Sequence, residues 1–378
     1  MRFFNTDDIA VYQGIAEQAA RSRIDAAVPL QSEYPPLATA FFSSVSVLEH
    51  GLSFSQAWIA VVLFLLLFCT AIAAWAWGMK TAFVLLLSLF LTMLLSHPQL
   101  IFGRYDIVVG ALLALAYLGV RKNAPALSGA TLVTAGLLKI VPFALLPFFL
   151  IAAPNRKRFS ISMMLTALAG LFLPFFLLGS AQTMSNIAYL RHYHHSRGVQ
   201  IESAWSGVHM LYRALIESRR SPVIFHAGSF ENMAVPDAAK VLSPLLAFAG
   251  LIVIFLLFLR SRRRSFMDDD VAPWLLSSLF WLLAVSTVLS PQYFVWAYPL
   301  AILWLFDRQQ KAEPYLLAAS LLLATAFLTQ WIYPWHYDEF LKQRNVWLTI
   351  GLNVRNGLLL LMVFVLLCID KVNRRKIQ

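Results

Sequence analysis

The sequence predicts an all-α polytopic membrane protein, on three observations. Of the 378 residues, 60% are hydrophobic and only 13% are charged, whereas an ordinary soluble domain carries about 25% charged residues. Apolar runs near 20 residues recur along the chain, each long enough to cross a hydrocarbon core of about 30 Å. The short alternating segments from which a β-barrel would be built do not appear. The net charge of +11 is therefore read by where it falls, as a topology signal and not as a nucleic-acid surface. Cys69 and Cys368 both sit in apolar runs, far apart, and suggest neither a disulfide framework nor a metal site.

The first 33 residues lack an apolar core of signal-peptide length. Within residues 8–27, Ile9, Tyr12, Ile15 and Ala19 fall at helical spacing, so a surface helix is expected there, which Asp7 or Asp8 can cap. The stretch Gln31-Ser32-Glu33-Tyr34-Pro35-Pro36-Leu37 then stops any helix, because two consecutive prolines hold the backbone extended. Leu37 to Leu48 is apolar but too short to span, and reads as an interfacial helix. Residues 1–54 are thus expected to form an extracytoplasmic segment with interfacial helices, ahead of a transmembrane domain over 55–378. Its expected spans are 55–77, 82–96, 105–120, 126–153, 159–179, 241–259, 271–289, 292–306, 314–333 and 347–369.

Orientation follows from the basic residues. Lys80, Arg121-Lys122, Arg156-Lys157-Arg158, Arg260 with Arg262-Arg263-Arg264, Arg308 and Lys311, and Lys371 with Arg374-Arg375-Lys376 hold more than half of the 30 Lys and Arg residues, and all are placed in the cytoplasm. Alternation then requires 126–153, broken by Lys139, Pro142 and Pro147, to enter and leave on one side as a hairpin of two short helices with Lys139 near its tip. Backbone of that kind is tolerated at membrane depth only where it lines a cavity or is buried in protein. The extracytoplasmic side receives residues 1–54, the His97 to Asp106 turn, a long loop over 180–240, the Trp335 to Arg344 loop and the opening Ser290-Pro291-Gln292-Tyr293. This puts the N-terminus outside with no span before it, so either a further transmembrane helix lies upstream, or Met1 is an internal start, or the first span is misplaced; the upstream helix is the favoured expectation.

Asp8, on the outer side, serves either as a helix cap or as a general base for an incoming hydroxyl, and the adjacent Asp7 has the same two readings. Glu33 and Tyr34 stand immediately before the rigid turn. Arg104-Tyr105-Asp106 opens a span, where the charges either anchor the helix or Asp106 faces a water-filled cavity. Lys139 lies among Leu137-Leu138 and Ile140-Val141; an intramembrane Lys costs a few kcal/mol unless it snorkels or is paired, and a phosphate is a suitable partner for its point charge. Arg355 interrupts the last span about 13 Å below its outer end by helical rise, and needs a lipid phosphate, a carboxylate or a pocket. The segment Arg191 to Ser203 is dense in donors. Its His192, His194 and His195 supply no convincing zinc ligand set, and Arg197 and Glu202 are better candidates for phosphate and sugar contacts.

Taken in order, Asp8-Ile-Ala-Val-Tyr12, Glu33-Tyr-Pro-Pro-Leu37, Arg104-Tyr-Asp106, Leu138-Lys-Ile-Val-Pro142, Arg197-Gly-Val-Gln-Ile-Glu-Ser203, Ser290-Pro-Gln-Tyr-Phe-Val-Trp296 and Arg355-Asn356 resemble the GT-C membrane glycosyltransferases. The nearest likeness is to glycosyltransferase family 87, the polyprenyl-phosphate-mannose-dependent α-1,2-mannosyltransferase type. The resemblance spans nearly the whole chain and implies a GT-C-like bundle of about 10–12 transmembrane helices whose outward-facing loops form the active site, in the cell membrane. The family has a transmembrane helix before the loop carrying its catalytic Asp, which this sequence lacks.

The resemblance further implies transfer of a hexose, mannose by family likeness, from a polyprenyl-phosphate sugar to a glycan or glycolipid acceptor, with inversion. Asp8 takes the place of the catalytic Asp, with Asp7 and Asp106 as alternates. Glu33, Tyr34, Arg104, Lys139, Arg197, Glu202, Gln292, Tyr293 and Arg355 are the expected substrate contacts. No cofactor and no metal ligand set are expected, and no Gly-rich phosphate loop for a nucleotide sugar is present. The competing class is a transporter or lipid flippase, which would also place Lys139 and Arg355 inside a bundle. Against it stand the lack of an internal repeat and the gathering of the carboxylates on one side.

Overall fold

A computed structural model describes residues 7–25, 28–226, 228–264, 270–307 and 313–375. Arg308 and Lys311, expected in the cytoplasm, lie outside the described residues. The described chain is helical except for one two-stranded hairpin. It forms two compact units, the first of Met1–Met93, Pro98–Ser196 and Tyr298–Leu303, the second of Leu94–His97, Arg197–Ala297 and Trp304–Gln378.

In the first unit, α1 (Asp7–Ile24) buries Ile9, Tyr12, Ile15, Ala16 and Ala19, the face its sequence spacing marks. The double proline then acts as expected. Pro35 is extended at φ −55° and ψ 151°, and Pro36 opens α2 (Pro36–Val45), where its missing N–H costs nothing. A 3-10 turn over Ser46–His50 leads to α3 (Phe54–Trp77), which starts on a reciprocal Ser53–Gln56 cap. After α4 (Met79–Leu95) and the short α5 (Pro98–Phe102) comes α6 (Asp106–Arg121). Residues 106–111 and 113–119 of α6 are all buried, as befits a helix apolar on every side. It packs on α7 (Pro125–Leu138), which in turn packs on α9 (Arg156–Leu178). Both approaches are close. A Cβ at Gly119 would stand 2.9 Å from the Ser128 backbone nitrogen, and one at Gly129 would stand 2.6 Å from the Phe159 carbonyl, the small-residue packing on which membrane helices rely.

The predicted break at Lys139 is present. α7 stops at Leu138, Lys139 is extended (φ −147°, ψ 122°), and a 3-10 turn over Val141–Leu145 precedes α8 (Leu146–Ala152).

The second unit is centred on α13 (Ala272–Val285), almost entirely buried, which packs against α12 (Ala238–Arg264) and α17 (Val346–Arg375). α14 (Phe294–Asp307), α15 (Glu313–Gln330) and the short α16 (Tyr337–Leu341) precede α17.

Among the described residues five helical stretches are long and apolar enough to cross a membrane: Phe54–Trp77, Arg156–Leu178, Ala238–Arg263, Pro314–Trp335 and Val346–Ile369. The chain is thus an all-α polytopic membrane protein. Four other expected spans coincide with α4, α6, α13 and α14, of 17, 16, 14 and 14 residues, which rise only about 21–26 Å.

The stretch 180–240 corrects the expectation of a loop. It folds into α10 (Ser180–Ser196), α11 (Ala204–Leu215) and an antiparallel hairpin of β1 (Val223–His226) with β2 (Ser229–Asn232). α10 has no concentrated apolar face, and it docks through side-chain amides. Gln182 donates to the Ser22 carbonyl at 2.7 Å, and Asn186 donates to the carbonyls of Ser32 (2.8 Å) and Tyr34 (3.1 Å). His192, His194 and His195 lie exposed on this helix.

Candidate active site

The first unit gathers residues that the sequence marks singly. Asp8 stands in the first turn of α1. Arg104 sits in the turn before α6, and its guanidinium donates to Asp8 at 2.5 Å. The two side chains are each about one-fifth exposed. Burial works against the Arg104 charge, but the nearby carboxylates, Asp8 foremost, outweigh it and hold the pKa above its ordinary value. Two residues on, Asp106 is fully buried at the start of α6, and the Lys139 ammonium lies 3.3 Å from it. The extended backbone at Lys139 is what turns its side chain away from the helical path of α7.

Aromatic rings join the two ion pairs. Lys139 lies 4.8 Å from the Tyr105 ring centre and 5.5 Å from that of Tyr34, both within cation–π range. The Tyr105 hydroxyl donates to the Leu138 carbonyl at 3.2 Å, fixing the chain just before Lys139. Tyr34 meets Phe42 and Tyr105 edge-on, and its phenol is held well above its ordinary pKa, by burial first and then by Tyr12 and Glu33. The Ser32 and Thr39 hydroxyls, 2.8 Å apart, brace this turn, with the Tyr34 amide donating to Ser32 at 3.2 Å. Glu33 is half-buried beside it. Asp7 opens α1, and its side chain lies outside the described residues. Tyr12, Tyr105 and Asn186 complete this cluster without having been marked as site residues. The available signals were Tyr12 one helical turn after Asp8 and Tyr105 between two marked charges.

Behind the Tyr34-Pro35-Pro36 turn lies a cavity of about 190 Å³. Pro36, Leu37, Leu137, Ile140, Gly170 and Phe175 are among its almost wholly apolar walls. Leu137 and Ile140 bracket Lys139 in the chain, so apolar wall and ammonium come from one short segment.

The other marked residues belong to the second unit. Arg355 is fully buried in α17. It donates to the Glu202 carbonyl at 2.6 Å and to the Asn356 side chain at 2.9 Å, with the Phe294 ring 5.4 Å away. The Glu202 carboxylate accepts from Gln200 at 2.9 Å. It also accepts from Tyr337, whose phenol is held well above its ordinary pKa by burial first and then by Glu202. Arg197 precedes the bridge between Gln200 and Glu231 and is half-buried. Gln292 is buried in a 3-10 turn over Pro291–Tyr293, with its amide oxygen unpaired among the described residues. Tyr293 stacks on Trp296 at 4.5 Å.

Residues 33–291 match the sequence model of glycosyltransferase family 87. The match takes in Glu33, Tyr34, Arg104, Asp106, Lys139, Arg197 and Glu202, while Asp8 and Arg355 fall outside it. No curated protein matches the sequence. With well over half of the chain covered by the match, this membrane protein belongs to glycosyltransferase family 87 and is a glycosyltransferase.

Proposed function

We propose that the protein moves a hexose, mannose by family likeness, from a polyprenyl-phosphate donor to a hydroxyl of a glycan or glycolipid on the extracytoplasmic face of the cell membrane. The observation that carries this reading is the first-unit cluster. A partly exposed carboxylate, two cations and an apolar cavity are assembled from segments far apart in the chain. A lipid-linked sugar phosphate needs all three. The outward placement rests on the basic residues gathered at the other ends of the apolar runs.

In the proposed reaction Asp8 takes the proton from the acceptor hydroxyl as its oxygen forms the bond to the anomeric carbon. The bond from that carbon to the phosphate oxygen breaks, and polyprenyl phosphate leaves with the electron pair. Lys139 and Arg104 stabilise the charge that develops on the leaving oxygen, a contribution usually among the largest in such sites. One displacement inverts the anomeric centre. Asp106 holds Lys139 in position. In the second unit, the bonds of Arg355 to the Glu202 carbonyl support a role in holding the Arg197–Ser203 segment, and no step is assigned to Arg197, Glu202, Gln292, Tyr293 or Arg355.

The test is transfer by purified protein from polyprenyl-phosphate hexoses and, separately, from nucleotide hexoses, to a glycolipid extract. Transfer from the lipid donors alone is expected; transfer from nucleotide sugars alone would overturn the reading. The cavity supplies a second test. Gly170→Leu adds a side chain beside the movable tips of Leu137 and Leu37, so the fold survives while the cavity fills. KM for a long-chain donor should rise about tenfold, the scale of a few methylenes misplaced in an apolar pocket. KM for a donor with one short prenyl unit should not change. An equal effect on both donors would remove the lipid tail from this cavity.

A further inference from the structure

We infer that the Tyr12 hydroxyl is a substrate-binding group, hydrogen-bonding a sugar oxygen beside Asp8. This rests on the reaction proposed above. The ring of Tyr12 is sealed in, with Phe42 and Trp58 at 4.4 and 4.5 Å between ring centres and Tyr34 and Tyr105 edge-on at 5.5 and 6.1 Å. The residue is 1% exposed. Phenylalanine would satisfy this packing equally well. The hydroxyl has no hydrogen-bond partner among the described residues, and leaving a buried polar group unpaired is destabilising. Stability alone therefore disfavours tyrosine at position 12.

The surroundings indicate what the hydroxyl serves. Tyr12 follows Asp8 by one turn of α1, so both lie on one helix face. Arg104, Asp106 and Asp8 all act on the phenol electrostatically, and burial first, then the two carboxylates, hold its pKa well above the ordinary value. The group thus stays protonated, a neutral donor and acceptor within a set of charges. Those charges are already matched, Asp8 with Arg104 and Asp106 with Lys139. The chemistry left for Tyr12 is that of a neutral, hydroxyl-bearing ligand, and a hydroxyl of a hexose fits it.

The experiment compares wild type with Tyr12→Phe for thermal unfolding and for kcat and KM with polyprenyl-phosphate mannose and its monodeoxy analogues. Unfolding temperature should be unchanged or higher in the variant. Its kcat/KM should fall about tenfold, the worth of one such bond, and one deoxy analogue should abolish the difference between the two proteins. A variant within twofold of wild type, or an equal deficit on every analogue, would overturn the inference, the latter pointing to a bridging water. Thermal stabilisation by the same lipids, measured in an Asp8→Asn background, separates this from the parent reading. Absence of stabilisation by any polyprenyl-phosphate hexose fails the parent reading and this inference with it, while equal stabilisation with Tyr and Phe at position 12 fails this inference alone.

Discussion

Asp8→Asn should lower sugar transfer by about 10²–10⁴-fold, the usual contribution of a positioned general base, in a protein that remains folded. Asn has the shape of Asp and leaves Arg104 an oxygen to bond, so what is lost is the ability to take a proton. The Asp8–Arg104 pair is partly exposed at 21% and 20%, and charge-assisted bonds of this kind contribute about 1.5–3 kcal/mol at most. That is a modest loss for a chain with two extensive helical cores. The measurement is transfer from a polyprenyl-phosphate hexose alongside thermal unfolding in the same detergent. If transfer stays within tenfold of wild type, Asp8 is not the base and the role passes to Asp7 or Asp106. Arg104→Gln provides the complementary case. It frees Asp8 from its partner while removing a cation from the leaving group, so kcat should fall but not to the level of Asp8→Asn.

Much of this site is legible one residue at a time. The apolar face of α1, the stop at Pro35-Pro36 and the break at Lys139 all follow from local chemistry, since spacing, ring constraint and an intramembrane charge are properties of short stretches. Pairing is a property of the fold. Asp8 and Arg104 are 96 residues apart, and nothing in either segment says which cation serves which carboxylate. Arg355 shows the same limit: among the groups it bonds is the Glu202 main-chain carbonyl, a partner that carries no sequence identity. The 180–240 stretch was misread for a different reason. Helix prediction rests on apolar periodicity, and α10 is held by Gln182 and Asn186 bonding to backbone carbonyls, which leaves no such period.

Lys139→Met should be the most destabilising single change at the site. Asp106 is fully buried and Lys139 is 15% exposed, so water does little to screen their interaction. Removing one partner of a buried ion pair costs about 3–5 kcal/mol, because the other charge stays desolvated without its counterpart. Methionine keeps the length and apolar stem of lysine, so packing against Tyr34 and Tyr105 is largely retained and the loss reports on charge. The discriminating protein is the double variant Asp106→Asn/Lys139→Met. With both charges gone the desolvation penalty goes too, and thermal unfolding should recover much of the loss, as paired removal of buried charges generally does. Transfer should not recover, because the reaction needs the ammonium itself at the leaving phosphate. Recovery of both stability and transfer would mean that the pair serves only the fold. A single variant as stable as wild type would mean that Lys139 does not neutralise Asp106. Recovery of stability without transfer is the result that assigns Lys139 to the chemistry and Asp106 to holding it there.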